Sequence, residues 1–438
     1  MGLVPSAGAD EPPSIETAHD TPAHHLKAPP DPATLTHLAS ARGTPAALTL
    51  ADCYALALAR SETIAIHQEQ LKETEGRVRR ALGEALPSVS FSSSDKEQDG
   101  TGTSSFTLKH VPERKFVFTQ PLFSGFREFA AMTGARAERR ERREESARAA
   151  QLLFVDVSDA FYLLREQRED LRALEVIRTA LVERVDELHD RERLGRSRPS
   201  EAISVEAQLR RLHAEIERVR NQDTVARQLL EFLTGVEPID ALIDPEPLPS
   251  TAMSDTIPMS QANARPDVKA AEAAWQIAQQ AVRVARADLW PDVDLEANYY
   301  TKRVGVAADI DWDALLKINV PLFQGGRAMG AISESRSRER QAKLRFEQVQ
   351  REALLDIRHA DANFHSALAR HAALTDALAA AEENYRLQTQ DYRLSLVNNL
   401  EVLQALQALE DTRRDVIHST YEVKRLYQRL RVATGEPL

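Results

Sequence analysis

Along most of the chain apolar residues recur every three or four positions, and in two short stretches the period drops to two. No proline interrupts the chain between Gly125 and Pro199, and Val157, Ala160, Leu164, Leu171, Leu174, Leu181, Val185 and Leu188 fall there on one helical stripe. At the α-helical rise that stretch forms a rod on the order of 100 Å long, which a compact domain cannot hold. A matching stripe follows in the second half, with Phe364, Ala367, Leu374, Leu378, Ala381 and Tyr385. The closing segment places Val402, Leu409, Val416, Val423 and Leu430 seven residues apart, a spacing that makes helices coil around their neighbours. Each long helix is expected to break at Leu194-Gly195 or Leu394-Ser395 and reverse, giving an antiparallel hairpin with its tip far from the strands. The period of two marks those strands. Val293, Leu295, Ala297 and Tyr299 alternate with Asp292, Asp294, Glu296 and Asn298, and Leu316, Ile318 and Val320 continue the pattern. Val89, Phe91, Phe116 and Phe118 repeat it more weakly, so strand pairs are predicted within 88–120 and 292–320. A helix precedes each pair, over about Leu50–Leu86 and about Pro266–Leu289.

The two halves read as copies. Phe118-Thr-Gln-Pro121-Leu122-Phe123-Ser-Gly125 returns 200 residues later as Ile318-Asn-Val-Pro321-Leu322-Phe323-Gln-Gly325. The same shift carries Leu194, Glu201, Leu209 and Gly235 onto Leu394, Glu401, Leu409 and Gly435. Upstream the shift is 204, relating Leu86-Pro87 to Trp290-Pro291. The difference falls between strands, where loops absorb length changes. The chain therefore divides into a Pro-rich, disordered tail (1–46), a first repeat (47–237), an extended Pro-rich connector (238–262) and a second repeat (263–438). Pro121, Gly125, Pro321 and Gly325 are assigned to the strand-to-helix turns.

Composition narrows the picture. Charged residues make up 28% and aromatic residues 5%, with 16 glycines, a profile that suits long exposed helices with narrow apolar seams. The net charge of -11, with no basic domain, argues against a nucleic-acid partner. Cys53, the one cysteine, sits in a helical pattern and reads as a small buried residue. No window reaches the roughly 18 apolar residues of a membrane-spanning helix. Met1 to Asp20 lacks the apolar core of a secretory signal, which by itself points to the cytosol. The tail histidines His19, His24 and His25 read as solvated. His359, His365 and His371 recur every six residues and do not share a helical face, so no shared metal site is expected. Gly325-Gly326 lacks the lysine of a phosphate loop. No convergent group of catalytic residues is present, and neither an enzymatic activity nor a cofactor is expected.

From the pattern alone two readings stand. Four strands per chain cannot close a barrel, and an open edge is not tolerated in lipid. Three chains would pool 3 × 4 = 12 strands above a hollow palisade of helices, which is a conduit. Alternatively the chain is a soluble coiled-coil scaffold with a small sheet.

Several motifs in order resemble the TolC-type outer-membrane efflux family, over Leu48 to the C-terminus. They are Leu48-Thr-Leu-Ala-Asp-Cys-Tyr-Ala-Leu-Ala-Leu, Leu86-Pro87-Ser-Val, Arg265-Pro266-Asp267-Val268, the repeated Pro-Leu-Phe-x-Gly, and Leu-Gly-x-Ser-x-x-x-Glu at 194–201. The resemblance implies a mainly α chain with a small β part. Its hairpins form a periplasmic α-barrel tunnel, and its four strands join a homotrimeric 12-strand β-barrel in the outer-membrane bilayer. It implies a passive duct for small molecules that works with a periplasmic adaptor and an inner-membrane pump. The duct of a type I protein secretion system has the same fold and is the alternative. By the same resemblance Tyr392 and Glu401 stand where family residues close the periplasmic tip. Gln404 replaces a second carboxylate and Val397 an arginine. Gly195, Arg196, Ser197 and, in the second hairpin, Ser395 mark tips that meet the adaptor. Two simpler roles compete with closure. Tyr392 continues the seam of Tyr385 and Gln388, which fits packing. Glu401 follows Asn398-Asn399, which fits a helix-start acid.

Overall fold

A computed structural model describes residues 47–99, 108–249 and 259–436. The expected tail 1–46 with its three histidines, and the middle of the connector, lie outside the described residues. The leading helix is not continuous: α1 (Leu50–Arg60) and α2 (Glu62–Glu84) are separated at Ser61, whose side chain accepts from the Ile64 amide and starts the second segment. Thr49 and Asp52 form a reciprocal capping box at the start of α1. Strands β1 (Ser88–Glu97) and β2 (His110–Ser124) follow, then α3 (Arg127–Arg193) and α4 (Pro199–Thr234). The order then repeats, with α5 (Met259–Ala264), α6 (Pro266–Ala287), β3 (Asp292–Lys302), β4 (Trp312–Asn319), α7 (Arg327–Arg393) and α8 (Asn399–Thr434). Both outgoing helices have 67 residues and both returning helices 36.

The strands form one antiparallel sheet in the order β1-β2-β3-β4, so among the described residues β1 and β4 are open edges. Pro121, expected in a turn, lies inside β2 at a register shift between Pro121 and Phe123. A bulge tolerates a residue with no amide to donate. Pro321 lies beyond the end of β4, and Gly125 and Gly325 do make the turns, with φ of +64° and +58°.

The predicted seam of α3 is the core of the rod: Val157, Ala160, Leu164, Leu174, Leu181 and Leu188 are all buried. Val157, Ala160 and Leu164, in the middle of α3, pack against α1, including the fully buried Cys53, whose thiol burial pushes up to about 12. Farther out Leu174, Leu181 and Leu188 meet Val205, Leu212 and Val219 of α4 and Leu403 and Leu406 of α8. The described start of the connector is extended and runs against this core. Leu48 pairs with Leu242, and Ile239 is buried beside them. The outer half of α7 is different. Between Ala367 and Tyr392 none of its residues is fully buried, so it forms an uncovered edge of the bundle.

Candidate functional site

Two regions bear on function, the sheet and the far tip. In the sheet, strict alternation places Phe91, Phe116, Tyr299 and Trp312 in one cross-strand row. All four project to solvent, at 56%, 46%, 57% and 68% exposure. Val89, Phe118, Ala297 and Ala314 form the next row on the same face, and Val293 and Ile318 lie below. The opposite face is polar. Asp313 accepts from Asn298 (2.9 Å) and Tyr300 (2.8 Å), and Lys115 and Arg303 lie over the Tyr300 ring. An exposed apolar face behind a paired polar face inverts the arrangement of a sheet that covers a soluble core. A second aromatic cluster closes the helix end of this face: Phe123 meets Phe126 at 5.2 Å and Trp290 at 6.3 Å. From Trp290 to Tyr299 the strand climbs roughly 30 Å at ~3.3 Å per residue. With the usual barrel tilt this becomes about 23 Å, close to the apolar band of a spanning barrel. The charges Asp95, Lys96, Glu97, Lys302 and Arg303 all lie beyond the upper row.

At the far end α3 and α7 stop through the same device. The residue after the helix turns left-handed, Gly195 at +69° and Ser395 at +61°, and the next amide reaches back, Arg196 to Arg191 O and Leu396 to Asp391 O. Gly195, Arg196 and Ser395 are exposed, and Ser197 donates to Glu201 at 2.9 Å. Tyr392 is buried between the hairpins. Its ring lies 4.0 Å from the Arg184 guanidinium and 4.8 Å from that of Arg191, and its hydroxyl donates to Glu201 at 3.5 Å. Arg184 also donates to the buried Asn399 at 2.9 Å. Tyr392 therefore packs and fastens the second tip to the first. Glu401 is held by its own turn. Its amide donates to Asn398 Oδ1 at 3.2 Å, and Asn398 Nδ2 donates back to its carboxylate at 3.3 Å. Gln404 is exposed, and the structure does not gather it with Tyr392. Arg184, Arg191 and Asn399 were not singled out from sequence. The register that carries Glu201 onto Glu401 was the available signal that the two tips face related chemistry.

Midway along the rod a buried ionic network joins the halves. Asp170, 1% exposed, accepts from Arg414 at 2.7 and 3.0 Å, and Arg414 also donates to Glu215 at 2.7 Å. Arg218 and then Arg414 hold the Glu215 carboxyl down at about 2. Burial pushes the Glu166 carboxyl up, but hydrogen bonds from His418 and the charge of Arg425 outweigh it and leave it lowered. The same contact with Glu166 raises His418.

Residues 258–436 match the outer membrane efflux protein family. The chain is 26% identical over 209 residues to the cation efflux system protein CusC of Escherichia coli O6:H1, covering 45% of this chain and 44% of that one. It is 26% identical over 277 residues to the outer membrane protein OprJ of Pseudomonas aeruginosa, covering 60% and 57%. The chain thus spans about half the length of the curated relatives it matches. Solved structures match almost throughout. A CusC crystal structure superposes with a TM-score of 0.78 at 18% identity, over 89% of this chain and 92% of that one. The outer membrane protein VceC of Vibrio cholerae gives 0.76 at 20%, over 88% and 96%.

Proposed function

We propose, for a chain whose resemblance to the TolC-type outer-membrane efflux family holds in both fold and sequence, that three copies form a passive outer-membrane duct for small molecules. The reading rests above all on the four-stranded sheet, which has two open edges and an aromatic face turned outward. Lipid tolerates such a sheet only if its edges are paired, and three chains give 3 × 4 = 12 strands in a closed wall. The uncovered outer half of α7, with Leu387 exposed, is assigned to a neighbouring protomer in a helical tunnel. Repeats 47–237 and 263–438, joined through 238–262, each lend one strand pair and one hairpin. The tips at Gly195, Arg196, Ser197 and Ser395 receive a periplasmic adaptor, which links the duct to an inner-membrane pump. Tyr392 holds the tips closed, and Glu401 and Gln404 contribute polar groups at that end. The cation efflux named for a relative is consistent with small cargo.

Two measurements test this. Detergent-extracted protein is expected to sediment as a trimer; a water-soluble monomer would end the proposal. Spin labels at Val89, Phe91, Val293, Leu295, Ala297 and Tyr299 are expected to collide with lipid-soluble rather than aqueous relaxants, and aqueous exposure at all six contradicts the membrane assignment.

A further inference from the structure

Below the apolar face of the sheet, between the start of α3 and the end of α6, lies a cleft of about 310 Å³. Its walls are the rings of Phe126, Phe129 and Trp290 and the backbone at Ala287, and Arg283 and Arg286 flank it. Three observations set it apart. First, it continues the outward face: Phe123, which shares that face with Val293, contacts both Phe126 and Trp290, and Phe126 contacts Phe129 at 6.4 Å. Second, Arg283 and Arg286 are exposed and form no ion pair with a carboxylate among the described residues. Arg283 donates only to the neutral Gln280, at 3.3 Å, whereas the nearby Arg127 binds Asp288. Third, Phe126 is held at φ +62°, a backbone conformation that disfavours a side chain. The position related to it by the 200-residue shift is Gly326, at φ +84°. The first copy thus keeps a large ring, 61% exposed, where the second copy has the residue that suits the backbone.

We propose that this cleft is a binding site for one anionic glycerophospholipid of the leaflet nearer the helices. An acyl chain lies against Phe126, Phe129 and Trp290, and the phosphate is held by Arg283 and Arg286. The site rests on the membrane reading above, which places the lower aromatic cluster at the headgroup level, where rings with one apolar and one polar side concentrate. Arginine suits the headgroup because its planar fork matches two phosphate oxygens. The cleft is also particular to one seam. By the 204-residue shift Arg283 has a counterpart in Arg79, but Arg286 and Trp290 correspond to Leu82 and Leu86, which carry neither the second charge nor the indole.

Fluorescence of variants with one tryptophan tests the site in reconstituted full-length protein. One variant, W275F/W312F, keeps Trp290; a second, W275F/W290F, keeps Trp312. Vesicles of phosphatidylcholine are doped with brominated phosphatidylglycerol or, separately, brominated phosphatidylcholine. Trp290 is expected to be quenched at about tenfold lower mole fraction of the anionic lipid. R283Q/R286Q removes that preference while circular dichroism stays unchanged, and F126G weakens quenching by both lipids. Equal quenching of Trp290 by the two lipids overturns the proposal. Loss of the preference on adding inorganic phosphate shows a free-anion site and overturns it as well. Quenching of Trp312 separates this failure from that of the membrane reading. If Trp312 responds and Trp290 shows no preference, only the lipid site falls; if neither responds, the membrane assignment falls with it.

Discussion

Single residues decide how the two halves lock. Asp170 is buried, and Arg414 grips both its oxygens. Arg414→Met should therefore cost about 3–5 kcal/mol, the usual penalty for stranding a buried charge, and R414M/D170N should recover part of it in urea titrations. The network also sets a pH profile. Glu215, held at about 2 against an ordinary 4.5, contributes stability that is complete above 4.5 and disappears as pH falls toward 2. His418 is raised from 6.5, so its contribution is complete below 6.5 and disappears as pH rises through the folded value. His418→Gln should flatten the fall in urea midpoint that begins as pH rises above 6.5. A variant that still loses stability as steeply as the parent would exclude the Glu166 contact as the cause. None of these partners could be read from the chain. Helical period fixes which residues share a stripe, but not the rotation that brings Asp170 to Arg414, 244 positions away. The same holds for the arginines around Tyr392. Its packing was legible from the seam, and the residues it packs between were not.

Among the elements, the long helices, their seams and their reversal points were legible because proline-free length and apolar period are strong signals. The break at Ser61 was not, since the period runs through it and only a side-chain cap starts the second segment. Nor was the placement of Pro121 inside a strand, because bulges have no period. The turns after the strands differ in a way that can be measured. A methyl on Gly125 would lie 2.9 Å from Ala287 O and from Trp290 Cβ, whereas one on Gly325 meets nothing within 4 Å. Both have positive φ, so Gly325→Ala should cost about 1 kcal/mol. Gly125→Ala should cost about 1–3 kcal/mol more, because a neighbour must shift. Thermal denaturation in detergent compares them directly, and equal losses would show that α6 yields freely. At the tips Tyr392→Ala should raise single-channel conductance in planar bilayers, whereas Tyr392→Phe, which keeps the ring between Arg184 and Arg191, should leave it near the parent value. Glu401→Gln should change it little, since the carboxylate is engaged in its own turn.

For the molecule as a whole, the chain carried its architecture in plain sight: alternation for four strands, heptads for the hairpins, and a 200-residue echo between halves. The partners of its open edges were not visible in this way, because an edge strand and a covered strand can share one alternation. What the structure adds is that the aromatic face, the open edges and the bare flank of α7 occur together in one chain. Equal helix lengths, 67 out and 36 back in both halves, add a constraint of their own. They bring both turns to one height, where Arg184 can reach Asn399 and Tyr392 can reach Glu201. Cutting a heptad from one hairpin alone would drop its end by about 10 Å and part Tyr392 from Glu201 and Arg184 from Asn399. Any natural lengthening must therefore be made twice over, in step, on the outgoing and returning limbs alike.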